Sequence, residues 1–174
     1  MKTMPALLLV SLVGLATSCT NVGTSSGGGG TVEVNFQSPE EFTDMNRTYS
    51  ALKGADRGYL SELQRYIEQR GANRIPAGQT LAVTITDVDM AGQFEPERGA
   101  QFIDIRMVRT IYPPRIDLNY KLTDQNGAVI SEGERKLRNQ SFDWTVSPVD
   151  QHDSLRYEKA LIDDFLRSIA NEIG

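Results

Sequence analysis

The 174-residue chain has one cysteine and one histidine. A lone thiol cannot close an internal disulfide or form a Cys-x-x-Cys redox pair, and the two residues together cannot build a Cys/His zinc cluster. Positive charge is also short: 18 Lys+Arg stand against 23 Asp+Glu, a net charge of −5. A nucleic-acid binder held by phosphate neutralisation is therefore not expected. No apolar run is long enough for a membrane span. The longest, Met4 to Ala16, has 13 residues, which as a helix would cover roughly 20 Å of a hydrocarbon core about 30 Å thick. No internal repeat is found. What remains, with 39% hydrophobic and 24% charged residues, is the composition of an ordinary globular chain of one domain.

Lys2 followed by the short apolar run has the form of a signal peptide. The run ends in Leu15-Ala16-Thr17-Ser18-Cys19, which resembles the lipobox of bacterial lipoproteins, with Ala16 where Leu is usual. That resemblance implies cleavage before Cys19, with a diacylglycerol on its thiol and an acyl chain on its amine. Several chains at about 0.8 kcal/mol per buried CH₂ would hold the protein on a membrane. Thr20 in place of Asp implies the outer membrane of a Gram-negative cell, on its periplasmic face. The alternative is a plain secretory leader cut near Ala16 to Ser18, leaving a free thiol. Thr20 to Thr31, with four consecutive glycines, reads as a flexible tether, because such residues lose much backbone entropy on ordering. The expected organisation is signal peptide 1–18, lipidated Cys19 and linker 19–31, and a single domain 32–174. Gly23 to Gly27 spells G-x-S-x-G, but that motif works only on a strand-to-helix turn, and none adjoins it.

Within the domain, Val32, Val34 and Phe36 alternate with polar residues and predict a half-buried strand. Ser38 to Lys53 reads as an ordered loop or a short helical turn. A helix is predicted from an Asp56 cap to about Arg70, with Tyr59, Leu60, Leu63, Tyr66 and Ile67 on one face and Gly71 as its stop. Leu81, Val83 and Ile85 alternate with threonines and predict a second strand. A loop from about Asp89 to Gly99 leads to a strand over Phe102 to Ile111, which Pro113-Pro114 must end or bend. Ile116 to Leu122 and Ala128 to Leu137, joined by Asp124-Gln125-Asn126-Gly127, predict a β-hairpin. Leu155, Ile162, Phe165, Leu166, Ile169 and Ile173 form one stripe on a long last helix capped by Asp153 or Ser154. The fold class expected is α+β: two layers, an antiparallel sheet of four to five strands, and two helices on one face. The opposite face would carry residues such as Thr84, Arg106, Asp117, Asn119 and Lys121.

Three separated motifs then point to a family. Thr86 to Gly92 (TDVDMAG), Tyr112 to Ile116 (YPPRI) and the Tyr120-x-Leu-x-Asp-x-x-Gly hairpin, with Phe42-Thr43-Asp44 earlier, resemble a proteobacterial family of envelope proteins known as a domain of unknown function. The resemblance spans roughly Val32 to Asp143. It implies an exported domain, often a lipoprotein, and brings no catalytic residues.

Asp87, Asp89 and Gly92 match positions one, three and six of a calcium loop, but Ala91 and Arg98 occupy positions five and twelve, so the EF-hand form is rejected. A looser oxygen site with Glu95, Glu97 or Asp104 is the alternative to a turn-capping role for the two aspartates. Arg98, Arg106, Arg109 and Arg115 offer forks for carboxylate or phosphate groups, or else cross-strand ion pairs with Asp104 and Asp117. Phe142, Trp144 and Val146 read as an exposed edge or as a lid on the core. Tyr112 with its two prolines could form an aromatic ledge. His152 lacks an adjacent nucleophile or metal motif and reads as a surface cap. The candidate binding residues are thus Asp87, Asp89, Arg106, Arg109, Arg115, Tyr112 and Trp144. No cofactor, metal or catalytic residue is assigned. The function expected is a non-catalytic envelope lipoprotein, bound to a membrane by its lipid and docking an envelope protein or cell-wall component. The alternative is a hydrolase or metal-assisted enzyme acting on cell-wall or lipid material through Asp87 and Asp89.

Overall fold

The computed structural model describes residues 29–44, 58–102, 105–145 and 152–173. The signal peptide, Cys19, most of the linker, Asp56, Asp104 and the segment Val146 to Pro148 lie outside the described residues. The fold is α+β, with a four-stranded sheet in the order β1-β2-β5-β6 and a separate two-stranded sheet, β3-β4. The strands are β1 (Thr31–Phe36), β2 (Thr80–Asp89), β3 (Gln93–Phe94), β4 (Arg106–Met107), β5 (Arg115–Thr123) and β6 (Val129–Arg138). The helices are α1 (Gly58–Ala72), a four-residue turn α2 (Phe142–Thr145) and α3 (Arg156–Ile173).

The alternation in β2 and β5 works as expected. Leu81, Val83, Ile85, Ile116, Leu118 and Leu122 are wholly buried against Leu63 and Ile67 of α1 and Ile162, Leu166 and Ile169 of α3. Both long helices therefore cover one face of the sheet. Ion pairs lock them together: Lys159 reaches Glu62 at 2.5 Å and Asp153 at 2.6 Å, and Asp163 receives Arg70, Arg74 and the Tyr66 hydroxyl. Burial alone would raise the Asp163 pKa, but these hydrogen bonds from Arg70, Tyr66 and Arg74 hold it below the usual value. The hairpin turn also forms as read. Asp124 accepts the amides of Asn126 and Ala128, and Gly127 takes φ 80°, the left-handed region a side chain would resist.

Three expectations need correction. The sheet is mixed rather than wholly antiparallel, because β1 and β2 run parallel; α1 carries the chain back across the helix layer between them, which restores the strand direction. Thr31 opens β1, and Gly30 donates to the Ile75 carbonyl at 2.7 Å. Gly71 does not stop α1 but lies inside it, where a Cβ would come within 2.8 Å of Val32; glycine there admits the helix to the strand. Finally, the strand expected over Phe102 to Ile111 shrinks to Arg106–Met107, preceded by a 3-10 turn at Ala100–Phe102. Of the segment's apolar residues, Ile105, Val108 and Ile111 are exposed and have no layer to pack on.

Candidate functional site

The segments between β2 and β5 gather at one end of the sheet, and the buried charges of the described residues collect around them. Asp44, Asp89, Glu95 and Glu158 are all buried there. Carboxylates at such depth need cations or donors, and the loop arginines supply them. Asp44 meets Arg106 at 3.0 Å and accepts the Met90 amide at 3.0 Å. Glu95 is held by Arg109 at 3.2 Å and Arg98 at 3.3 Å. Arg115 reaches Asp89 at 3.5 Å. Arg106 also stacks on Phe94, 5.0 Å from the ring centre, and so ties β4 to β3.

Gly92 makes this crowding possible. Its φ is +85°, and a Cβ would lie 2.8 Å from the Met107 carbonyl oxygen. Its amide donates to the Tyr112 carbonyl at 3.0 Å, which brings the Tyr112-Pro113 loop beside the end of β2. Between them opens a cleft of about 300 Å³ lined by Asp89, Met90, Gln93, Ile111, Tyr112, Pro113 and Arg115. Thr110 donates to Asp143 at 3.1 Å, so the turn bearing Trp144 stands next to the loop bearing Ile111. Trp144 is 84% exposed and Ile111 68% exposed.

The sequence-predicted residues thus divide. Asp89, Tyr112 and Arg115 share the cleft. Asp87 turns elsewhere and accepts two hydrogen bonds from Thr43, from its amide at 2.6 Å and its hydroxyl at 2.8 Å. Arg106 and Arg109 are built into the ion-pair network, and Arg106 is not on the open sheet face where it was expected. The arginines do make ion pairs, but with Asp44, Glu95 and Asp89; Asp117 pairs across the hairpin with Arg138 at 2.5 Å. Phe142 and Trp144 sit on a helical turn rather than an extended edge, with Phe142 buried against Tyr157 and Trp144 outside. Among the described residues, no group of three His, Cys, Asp or Glu is arranged to hold a metal ion.

Sequence reasoning missed Glu158. One carboxylate oxygen accepts the Ala91 amide at 2.7 Å, while the other is buried without a hydrogen-bond partner. Burial pushes its pKa up to about 7, against the opposing pull of the Ala91 amide. The Tyr59 hydroxyl nearby is likewise enclosed without a partner, and burial together with Asp44 raises its pKa. A signal was available: Glu158 falls three residues after Leu155 and four before Ile162, inside the apolar stripe of α3. Chemically this region is a braced, charge-balanced end cap beside a small open cleft. Glu158, whose carboxyl burial pushes towards neutrality, is not part of the cleft wall.

These features define a two-layer α+β domain whose loops form a charged end with an amphipathic cleft. The chain belongs to the family described as Protein of unknown function (DUF3016), whose profile matches residues 30–168. No curated protein matches the sequence.

Proposed function

We propose that this protein is a non-catalytic lipoprotein of the cell envelope, anchored through Cys19, whose cleft docks a segment of another envelope component. The observation that carries the docking role is the cleft itself. It joins an exposed apolar wall, Ile111 with Tyr112 and Pro113, to the Asp89–Arg115 pair, within about 300 Å³. Such a mixture suits an amphipathic side chain or short peptide stretch. The carboxylates that a hydrolase would use are engaged: Asp87 by Thr43 and Asp89 by Arg115. The anchor rests on the apolar run, the small residues before Cys19 and the glycine-rich stretch after it. No described helix is long and apolar enough to cross a membrane, so acyl chains would supply the attachment.

Two measurements test the proposal. A photo-crosslinking residue at Ile111 in the full chain, in its native envelope, is expected to trap one defined neighbour that the same probe at Gln125 does not. Identical products from both positions would reject the cleft as the docking site. Metabolic labelling with a fatty acid is expected to mark the wild type and leave Cys19→Ala unlabelled.

A further inference from the structure

The outermost strand on one side of the sheet is β6. Its solvent-facing row reads Ile130, Glu132, Glu134, Lys136, Arg138, and every member is exposed. The acids occupy the first half of the row and the bases the second. Mixed charges of any order protect an edge from indiscriminate pairing. A segregated order does more: reversed and laid beside itself, it is its own complement.

We propose that β6 pairs antiparallel with β6 of a second copy of this chain, about a two-fold axis passing through Arg135. In that register Glu134 lies opposite Lys136 of the second copy, and Glu132 opposite Arg138, so symmetry produces each pairing twice. Moving the axis to Glu134 sets that carboxylate against itself, and moving it to Lys136 does the same with an ammonium. The charge row therefore selects one register. Both sheets then join into one continuous sheet with all long helices on the same side.

Arg138, which meets Asp117 at 2.5 Å, is the one charge of the row closely paired inside its own chain; the other three are held loosely. Lys121–Glu132 spans 3.6 Å and Lys136–Glu134 3.5 Å, both well solvated, and such pairs contribute little. Arg135 meets its own copy at the axis on the helix side. Its charge is already balanced by Glu172 at 2.9 Å, and it folds back over the Tyr120 ring at 4.8 Å. Among the described residues no strand pairs with the outer edge of β6. This surface lies apart from the cleft, so its test and that of the cleft fail independently.

The test is sedimentation of the full chain in mild detergent across a concentration series. The wild type is expected to form a dimer. Glu134→Lys alone and Lys136→Glu alone each set like charges opposite one another twice and are expected to weaken it about 10-fold or more. The double variant E134K/K136E keeps the pair within one chain and restores the complement between chains, so it should dimerise like the wild type. Mixing the two single variants should yield a heterodimer. A monomeric wild type, single variants that associate as strongly as the wild type, or a double variant without rescue would each overturn the proposal.

Discussion

The middle of the sheet and its loop end are stabilised by opposite means. Over its middle, β2 and β5 bury aliphatic side chains against α1 and α3, and fit and dryness suffice. At the loop end the chain buries Asp44, Asp89, Glu95 and Glu158, and three of these four are met by arginine. Hydrophobic burial is non-directional, so the first region tolerates changes that conserve volume. The second is directional, and losing one partner leaves a charge in a poor solvent. The contrast shows why the cleft sits where it does. A braced polar scaffold can hold loops in a fixed shape without a second apolar layer beneath them.

Three substitutions sharpen that contrast. Leu118 is wholly buried at the centre of the sheet, and Leu118→Ala is expected to cost about 4 kcal/mol, read from urea unfolding; a loss no larger than that at Arg106 would erase the distinction. Glu158 follows in size. Its folded pKa of about 7 lies above the ordinary 4.5, so the fold favours the protonated form. The resulting stabilisation is complete below pH 4.5 and is lost as pH rises towards 7. Across that window the wild type should lose roughly 3 kcal/mol relative to Glu158→Gln; a difference that does not vary with pH would show that the carboxyl is not buried as described. The smallest effect is expected at Arg106, partly open to solvent beside Asp44. Arg106→Ala should cost about 2 kcal/mol and increase amide exchange at Met90, whose N–H shares the Asp44 carboxylate.

Much of the fold was legible because its signals are local. The period-two runs at Leu81 to Ile85 and Ile116 to Leu122, the Asp124 to Gly127 turn and the α3 stripe each lie within a few neighbouring residues. The segment Phe102 to Ile111 misled for the same reason. It has strand-like residues, but a strand needs a partner, and among its described residues only Arg106–Met107 finds one, in Gln93–Phe94. The parallel pairing of β1 with β2 was equally hidden, since strand direction is set by the path of the intervening helix. Of the candidate site, Asp89, Tyr112 and Arg115 were named in advance and do meet, whereas Asp44 and Glu158 lie far along the chain from the loops they brace.

By itself the sequence determined the long helices and strands, the apolar face of each and the lack of thiol or imidazole clusters, because periodicity and composition act over short stretches of chain. Only the tertiary structure decided which carboxylate each arginine answers, which aspartate enters the cleft and how deep Glu158 lies. Those outcomes depend on distances between residues as remote as Asp44 and Arg106, or Ala91 and Glu158, and such distances are set by packing the layers together.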